Sequence, residues 1–442
     1  MTAGTGQSPS LSSFPRPSGL VLAPFRALRF DPAVAGDLRT LTSAPYDVLD
    51  PDAVTALEAS SEANVVRLIL PRDGVVAGQD RYAGAAATLL AWREGGVLRP
   101  DPTPALYVYE QAAPGGHVQR GLLGALGLRP EQDGVVLPHE NTMAGPVSDR
   151  LALYTAVGAD LEPIFLVYDG GGAASRAVAA VESQPMGTLL VDAVLADGLR
   201  HRLWALTDPQ LLAEIAADLL PRKALIADGH HRYATYLRRQ ELRHQADDGA
   251  GPWDFGLCLL VDATTFGPQV HPIHRVIPGI AADELARRAA PGLAVRRLEG
   301  HLRDALTALT EAGRSGPAFL LASGDGSVLQ LLTEPDPAQL AAAVPPGRSS
   351  AWAALDVSIL HAFVIAQLWG LPDDVEHVGY EHDVAAALAA AASSDGTAVL
   401  LNPTTVQDVA AVAGAGERMP RKSTLFTPKP ATGLVMRDHR DA

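Results

Sequence analysis

The 442-residue chain is 47% hydrophobic and carries a formal net charge of −15. That is enough apolar material for two or three cored domains, and the acidic balance excludes non-specific attachment to DNA or RNA, which draws on clustered Lys and Arg. A single cysteine, Cys258, excludes an internal disulfide and any cysteine-rich metal site. No stretch approaches the roughly twenty uninterrupted apolar residues of a membrane span.

Residues 1–19 are rich in Ser, Gly, Thr and Pro and lack the basic start and apolar core of an export signal. They read as a disordered tail, and the cytoplasm as the location. Beyond them, β-like runs fall at residues 19–30, 64–70, 105–110, 121–128, 163–168, 223–227, 255–261, 317–321, 328–332 and 398–401. Helical patterns fall at 80–93, 148–156, 208–219, 230–241, 281–289, 301–312, 356–368, 384–391 and 405–413. Strands interleaved with helices predict a mixed α/β (α+β) fold of two or three packed lobes with mixed sheets. Turn-rich breaks divide it into an N-terminal lobe over 20–170, a central lobe over 171–345 and a C-terminal segment over 346–442. Cys258, inside the apolar run Gly256-Leu257-Cys258-Leu259-Leu260-Val261, belongs in a core.

Pro45-Tyr46-Asp47-Val48 forms a stiff loop ahead of a helix and by itself predicts only a turn. Next comes Leu137-Pro138-His139-Glu140-Asn141-Thr142, where a His-Glu pair beside a Thr offers a general base among donors; Ser148 and Asp149 then open a helix next to Arg150. An ordinary polar loop is the alternative there. Ala224-Leu225-Ile226-Ala227 reads as a buried strand that stops at Asp228-Gly229-His230-His231-Arg232-Tyr233, where a helix begins. The glycine permits unusual backbone angles, the first N–H groups of a helix can hold an anion, and Arg232 adds a guanidinium. The competing reading is that Asp228 only caps the helix.

His271 and His274 stand three apart, a spacing that ligates metals from a helix, but Pro272 opposes a helix there and no His-Glu-x-x-His exists, so zinc is not expected. No Gly-x-Gly-x-x-Gly follows a strand, so neither NAD nor flavin is expected. Near the end, Arg421-Lys422-Ser423-Thr424 and Lys429 gather cations and hydroxyls into a candidate phosphate clamp, with a solvated basic loop as the alternative.

Taken together, these segments resemble a family known as a domain of unknown function, number ten-fifteen, from about Pro24 to Val435. Its motifs are matched by Pro45-Tyr46-Asp47-Val48, Asn64-x-x-Arg67-Leu68, His139-Glu140-x-Thr142, Asp149-Arg150, the complete Ala227 to Tyr233 box, His274-Arg275, Met419-Pro420-x-Lys422-Ser423-Thr424 and Pro428-Lys429. The chain departs at Thr427, where the family has an aromatic residue, and at Ile273, where Thr is frequent. More distantly, the Asp-Gly-His-His-Arg box, around 223–245, is similar to that of the ParB and sulfiredoxin superfamily, including free-serine kinases. There it contacts nucleotide phosphates. His230 stands where sulfiredoxin has its reactive cysteine, which excludes that redox chemistry.

The resemblance and the motifs imply a phosphotransferase acting on a hydroxyl compound such as serine, with Mg²⁺ and ATP or ADP. Glu140, His139, Asp228, His230 and His231 are the candidates for proton transfer. Gly229, Arg232, Arg150, His274, Arg275, Lys422, Ser423, Thr424 and Lys429 are candidates for the phosphates; Tyr46, Asp47, Asn141 and Thr142 for the substrate pocket; and Asp228 or Asp47 for Mg²⁺. A nucleotide-binding switch and a metal-dependent hydrolase are the alternatives. The partner expected is a phosphorylated small molecule or nucleotide, not a nucleic acid or membrane.

Overall fold

A computed structural model describes residues 17–74, 78, 80–183 and 186–441; most of the expected tail, residues 1–16, lies outside them. The chain divides into two units. Unit one takes the residues up to Val136, Thr142–Gly267 and Pro428 onward, and unit two takes Leu137–Asn141 and Pro268–Thr427. Among the described residues no helix is long and apolar enough to cross a membrane.

In unit one the strands are β1 (Leu22–Ala23), β2 (Leu106–Ala112), β3 (Val118–Gly127), β4 (Ile164–Tyr168), β5 (Thr188–Val194), β6 (Arg200–Leu206), β7 (Ala224–Asp228) and β8 (Phe255–Asp262). They pair in the order β7-β4-β8-β3-β2-β6-β5, with β1 beside β3. β4 and β8 run parallel, whereas the other registers are antiparallel. Helices α1 (Arg81–Glu94), α2 (Ala144–Val157) and α3 (His230–Gln245) belong to this unit. Tyr154 of α2 stacks on Tyr236 of α3 at 5.7 Å. The core is built from residues such as Leu106, Leu126, Ile164, Ile226, Tyr236 and the fully buried Cys258, whose thiol burial pushes well above its usual range.

The last part of the chain closes this unit. Arg437–Asp438 pairs with Ala159–Asp160, and Asp160, fully buried, receives Arg239 and Arg437 at 2.8 and 2.9 Å and His439 at 3.2 Å.

Unit two holds a sheet of β10 (His274–Ile277), β11 (Ala294–Arg297), β12 (Phe319–Ser323), β13 (Leu329–Thr333), β14 (Gly379–Glu381) and β15 (Thr397–Leu401), in the order β11-β13-β12-β15-β10-β14. Its core includes Leu309 of helix α4 (Leu302–Gly313), Leu320, Leu331, Ala391 of α5 (Val384–Ser393) and Leu400. A separate ribbon pairs β9 (Gln269–His271) with β16 (Leu425–Thr427).

The mixed α/β expectation holds in both units. Three local expectations are corrected. The apolar run at 64–70 is helical over Val66–Ile69, because Asn64 turns its side chain onto the backbone: Oδ1 accepts the Val66 N–H at 2.9 Å, and Nδ2 donates to the Thr40 carbonyl at 2.8 Å. The helix expected to open at Ser148 begins at Ala144, which places Asp149 and Arg150 in its second turn. The helix expected over 356–368 is α-helical only for Asp356–Ile359; over Leu360–Leu368 its hydrogen bonds lengthen, the Trp369 N–H reaching back to Val364.

Candidate functional site

β7 carries four buried residues to Asp228, where its register with β4 shifts between Ile226 and Asp228. Such a bulge re-aims the side chain that follows it. Gly229 then takes φ +93° and ψ 30°, a left-handed turn open to glycine at little cost, and α3 starts at His230 with no side-chain cap. Asp228 is therefore not the helix cap. Its carboxylate instead bonds Arg232 and lies 2.5 Å from the ammonium of Lys429.

Lys429 also stands 3.5 Å from Asp47, which belongs to the tight turn Tyr46–Val48. Burial would raise the Asp47 carboxyl, but Arg232 and Lys429 hold it below the usual carboxylate range. Burial would likewise lower the Lys429 ammonium, and Asp228 and Asp47 raise it instead. Both groups are thus charged at neutral pH. The side chains of Lys429 and Asp47 keep 17% and 36% of their exposure, so a solute can reach them.

Behind this mouth the site is sealed. Arg232 keeps 1% of its exposure; its guanidinium donates to the Pro163 carbonyl at 2.6 Å and pairs with Asp228. Arg150, also buried, donates to Asp149 at 2.6 Å and to the Ile69 carbonyl at 2.5 Å, and lies 4.4 Å over the ring of Tyr46. Tyr46 is pushed up to about 12 by burial and stays a neutral phenol. His231 Nε2 accepts the Met143 N–H at 3.0 Å, which leaves its proton on Nδ1. His230 is buried and Thr142 exposed.

The remaining candidates lie in unit two. His139, buried, has Nε2 3.0 Å from the Thr424 hydroxyl; Glu140 is half-buried and Asn141 exposed. Lys422 is exposed in a left-handed conformation, φ +51°, and the Ser423 hydroxyl donates to the Pro420 carbonyl at 2.5 Å.

Five of the residues expected on phosphates are engaged by other groups of the protein. Arg232 and Arg150 are spent on protein carbonyls and carboxylates, and Ser423 on a carbonyl. His274 is buried, accepts the Leu401 N–H at 3.2 Å and is held down to about 4 by burial and by Arg275. Arg275 is fully buried and donates to the Ile273 carbonyl at 2.5 Å and to His361 at 3.1 Å.

Among the described residues no group of three or more His, Cys, Asp and Glu is placed to hold a metal; Asp47 and Asp228 are the two carboxylates at the mouth. Glu162, absent from the expected set, lies fully buried behind them. It carried a signal, since a lone carboxylate in Leu161-Glu162-Pro163-Ile164 directly before a buried strand must find partners inside.

These features define a mixed α/β protein with a buried ion cluster behind a strand-turn-helix junction. The chain belongs to the family described as protein of unknown function (DUF1015), whose profile matches residues 22–358. No curated protein matches its sequence. Among solved structures the chain has distant likenesses in fold. A free serine kinase in complex with AMP has 14% identity, coverage of 76% of this chain and 93% of that one, and a TM-score of 0.34. SbnI with C-terminal truncation from Staphylococcus aureus has 9% identity, 71% and 86% coverage, and a TM-score of 0.33. A conserved hypothetical protein from Pyrococcus furiosus has 14% identity, 72% and 94% coverage, and a TM-score of 0.33.

Proposed function

We propose that unit one binds a phosphorylated small molecule or nucleotide at the start of α3 and transfers a phosphoryl group to a hydroxyl compound. The observation that carries this reading is Lys429, an ammonium held between Asp228 and Asp47 beside a helix start that no side chain caps. The positive end of α3 and Lys429 attract the same anion. A phosphate that takes Lys429 from Asp47 leaves an ionised carboxylate at the mouth of the site, ready to accept the proton of an attacking hydroxyl. Mg²⁺ arriving with a nucleotide would neutralise further charge, and Asp47 and Asp228 are the carboxylates that would hold it, since Mg²⁺ keeps most of its own waters.

The test is calorimetric titration of ATP, ADP, CTP, GTP and phosphorylated metabolites, with and without Mg²⁺, into the full chain and its Lys429→Met variant. A charge-assisted hydrogen bond contributes about 1.5–3 kcal/mol, so the variant should bind roughly ten- to a hundredfold more weakly while keeping its fold by circular dichroism. Asp47→Asn should bind nearly as wild type in the absence of Mg²⁺ and lose phosphoryl transfer to a panel of hydroxyl compounds that includes serine. If no phosphorylated compound binds, or Lys429→Met binds as tightly as wild type, the reading is wrong. Binding without transfer to any acceptor assigns the site to a nucleotide-binding switch.

A further inference from the structure

Asp47 and Lys429 belong to segments almost four hundred positions apart, and something must fix their spacing. The two segments meet twice within unit one. Ser43 and Thr432 exchange backbone hydrogen bonds at 2.9 and 3.1 Å. One oxygen of Glu162, Oε1, then accepts the Tyr46 N–H at 2.9 Å and the Thr432 hydroxyl at 3.3 Å. Tyr46 is the residue before Asp47, and Thr432 is three beyond Lys429.

Glu162 is itself anchored: it precedes β4, and its own carbonyl accepts the Tyr236 hydroxyl of α3 at 3.2 Å. Gln111 and Gln119, both buried, donate to the carbonyls of Lys429 and Pro428 at 2.9 Å each, so the Lys429 backbone is held on its other side as well.

We propose that Glu162 is the positioning residue of the Asp47–Lys429 pair, its Oε1 tying the turn at Tyr46 to the strand-like segment at Thr432 and so setting the distance between ammonium and carboxylate. The other oxygen, Oε2, is buried with no hydrogen-bond partner among the described residues. Burial pushes the Glu162 carboxyl up, against the opposing pull of Arg232 and Arg150. Asp47, Tyr46 and Tyr154 are the other titratable groups facing it.

The assignment of Asp47 and Lys429 to a ligand rests on the function proposed above, but their spacing is testable without it. The chain has three lysines, Lys223, Lys422 and Lys429, so lysine labelled with ¹³C at Cε gives three resonances, and Lys429→Met identifies the one that matters. At one neutral pH the Lys429 Cε resonance should stand apart from the other two, because its ammonium is held between Asp228 and Asp47. Glu162→Gln keeps an acceptor oxygen in place and should leave that resonance nearer its wild-type position than Glu162→Leu, which removes the acceptor and should move it toward the position of the exposed Lys422, with nucleotide affinity, where present, falling at least tenfold. Thr432→Val removes one arm alone and should give a smaller shift in the same direction; it decides the matter if Glu162→Leu does not fold. The proposal is overturned if Glu162→Leu or Thr432→Val leaves the resonance at its wild-type position, or if Glu162→Gln moves it as far as Glu162→Leu. A shift in Lys429 with no phosphorylated ligand ever bound would sink the proposed function and keep the positioning role.

Discussion

Arg232 sits at the end of a charge chain that runs inward from Lys429 through Asp228 and toward Glu162. Its guanidinium is raised even above its usual range: burial works against the cation, and Asp228, Glu162 and Asp47 more than offset it. Removing one member of such a buried group leaves the others uncompensated, a loss of about 3–5 kcal/mol. Arg232→Ala should therefore lower the denaturant midpoint of unit one strongly, read by urea unfolding, with any weakening of ligand affinity following from the altered Asp228. A variant with a wild-type midpoint and lost phosphate affinity would return Arg232 to the ligand. Residue types told less here than burial did. Asp-Gly-His-His-Arg announces an anion site by its chemistry, and the fold gives the arginine to Asp228 and Pro163 while a lysine from far along the chain takes the mouth.

At the scale of elements, the junction from β7 to α3 depends on Gly229. A Cβ there would force a left-handed backbone on a residue that resists it and would meet the Arg232 guanidinium at 3.1–3.2 Å. That group is pinned by its own hydrogen bonds and cannot step aside. Gly229→Ala should cost at least the 1–2 kcal/mol of a left-handed residue, roughly, measured as a lower urea midpoint; an unchanged midpoint would show that the turn relaxes freely. This junction was legible in advance because an apolar run, a glycine and a helical pattern follow one another locally. β5 and β6 were missed, although Asp197-Gly198 between them is a hairpin signal. Helix Pro51–Ser60 was expected only as a helix following the Pro45–Val48 loop, without bounds, although Asp50 caps it and Pro51 starts it. The run at 64–70 was misread because a short apolar stretch has no period of its own, and only the Asn64 side chain distinguishes helix from strand. The pairing of Asp47 with Lys429 was not legible at all: each residue could be named, but no spacing in the chain encodes a contact between segments that meet at Ser43–Thr432 and on Glu162.

At the scale of the molecule, unit one is discontinuous, and its C-terminal segment supplies Lys429, Thr432, Arg437 and His439. Asp160 is held well below the usual carboxylate range against its burial by Arg239, His439 and Arg437. A chain stopped after Thr427 leaves Asp160 with Arg239 and the Leu257 N–H and strips the outer strand from Ala159–Asp160. Hydrogen exchange should then quicken across β4 and β8 while β12 and β15 of unit two stay protected; protection in β4 and β8 equal to wild type would mean that the segment only decorates the fold. The same chain path also orders events during synthesis. All of Pro268–Thr427 is made between the sheet of unit one and its C-terminal segment, so unit one waits with Asp160 lacking Arg437 and His439 and with an open strand edge while the later unit can already condense. A ribosome that releases its product early leaves a polypeptide without the ammonium at the mouth of α3. Translation as far as Thr432 is thus a precondition for the candidate site.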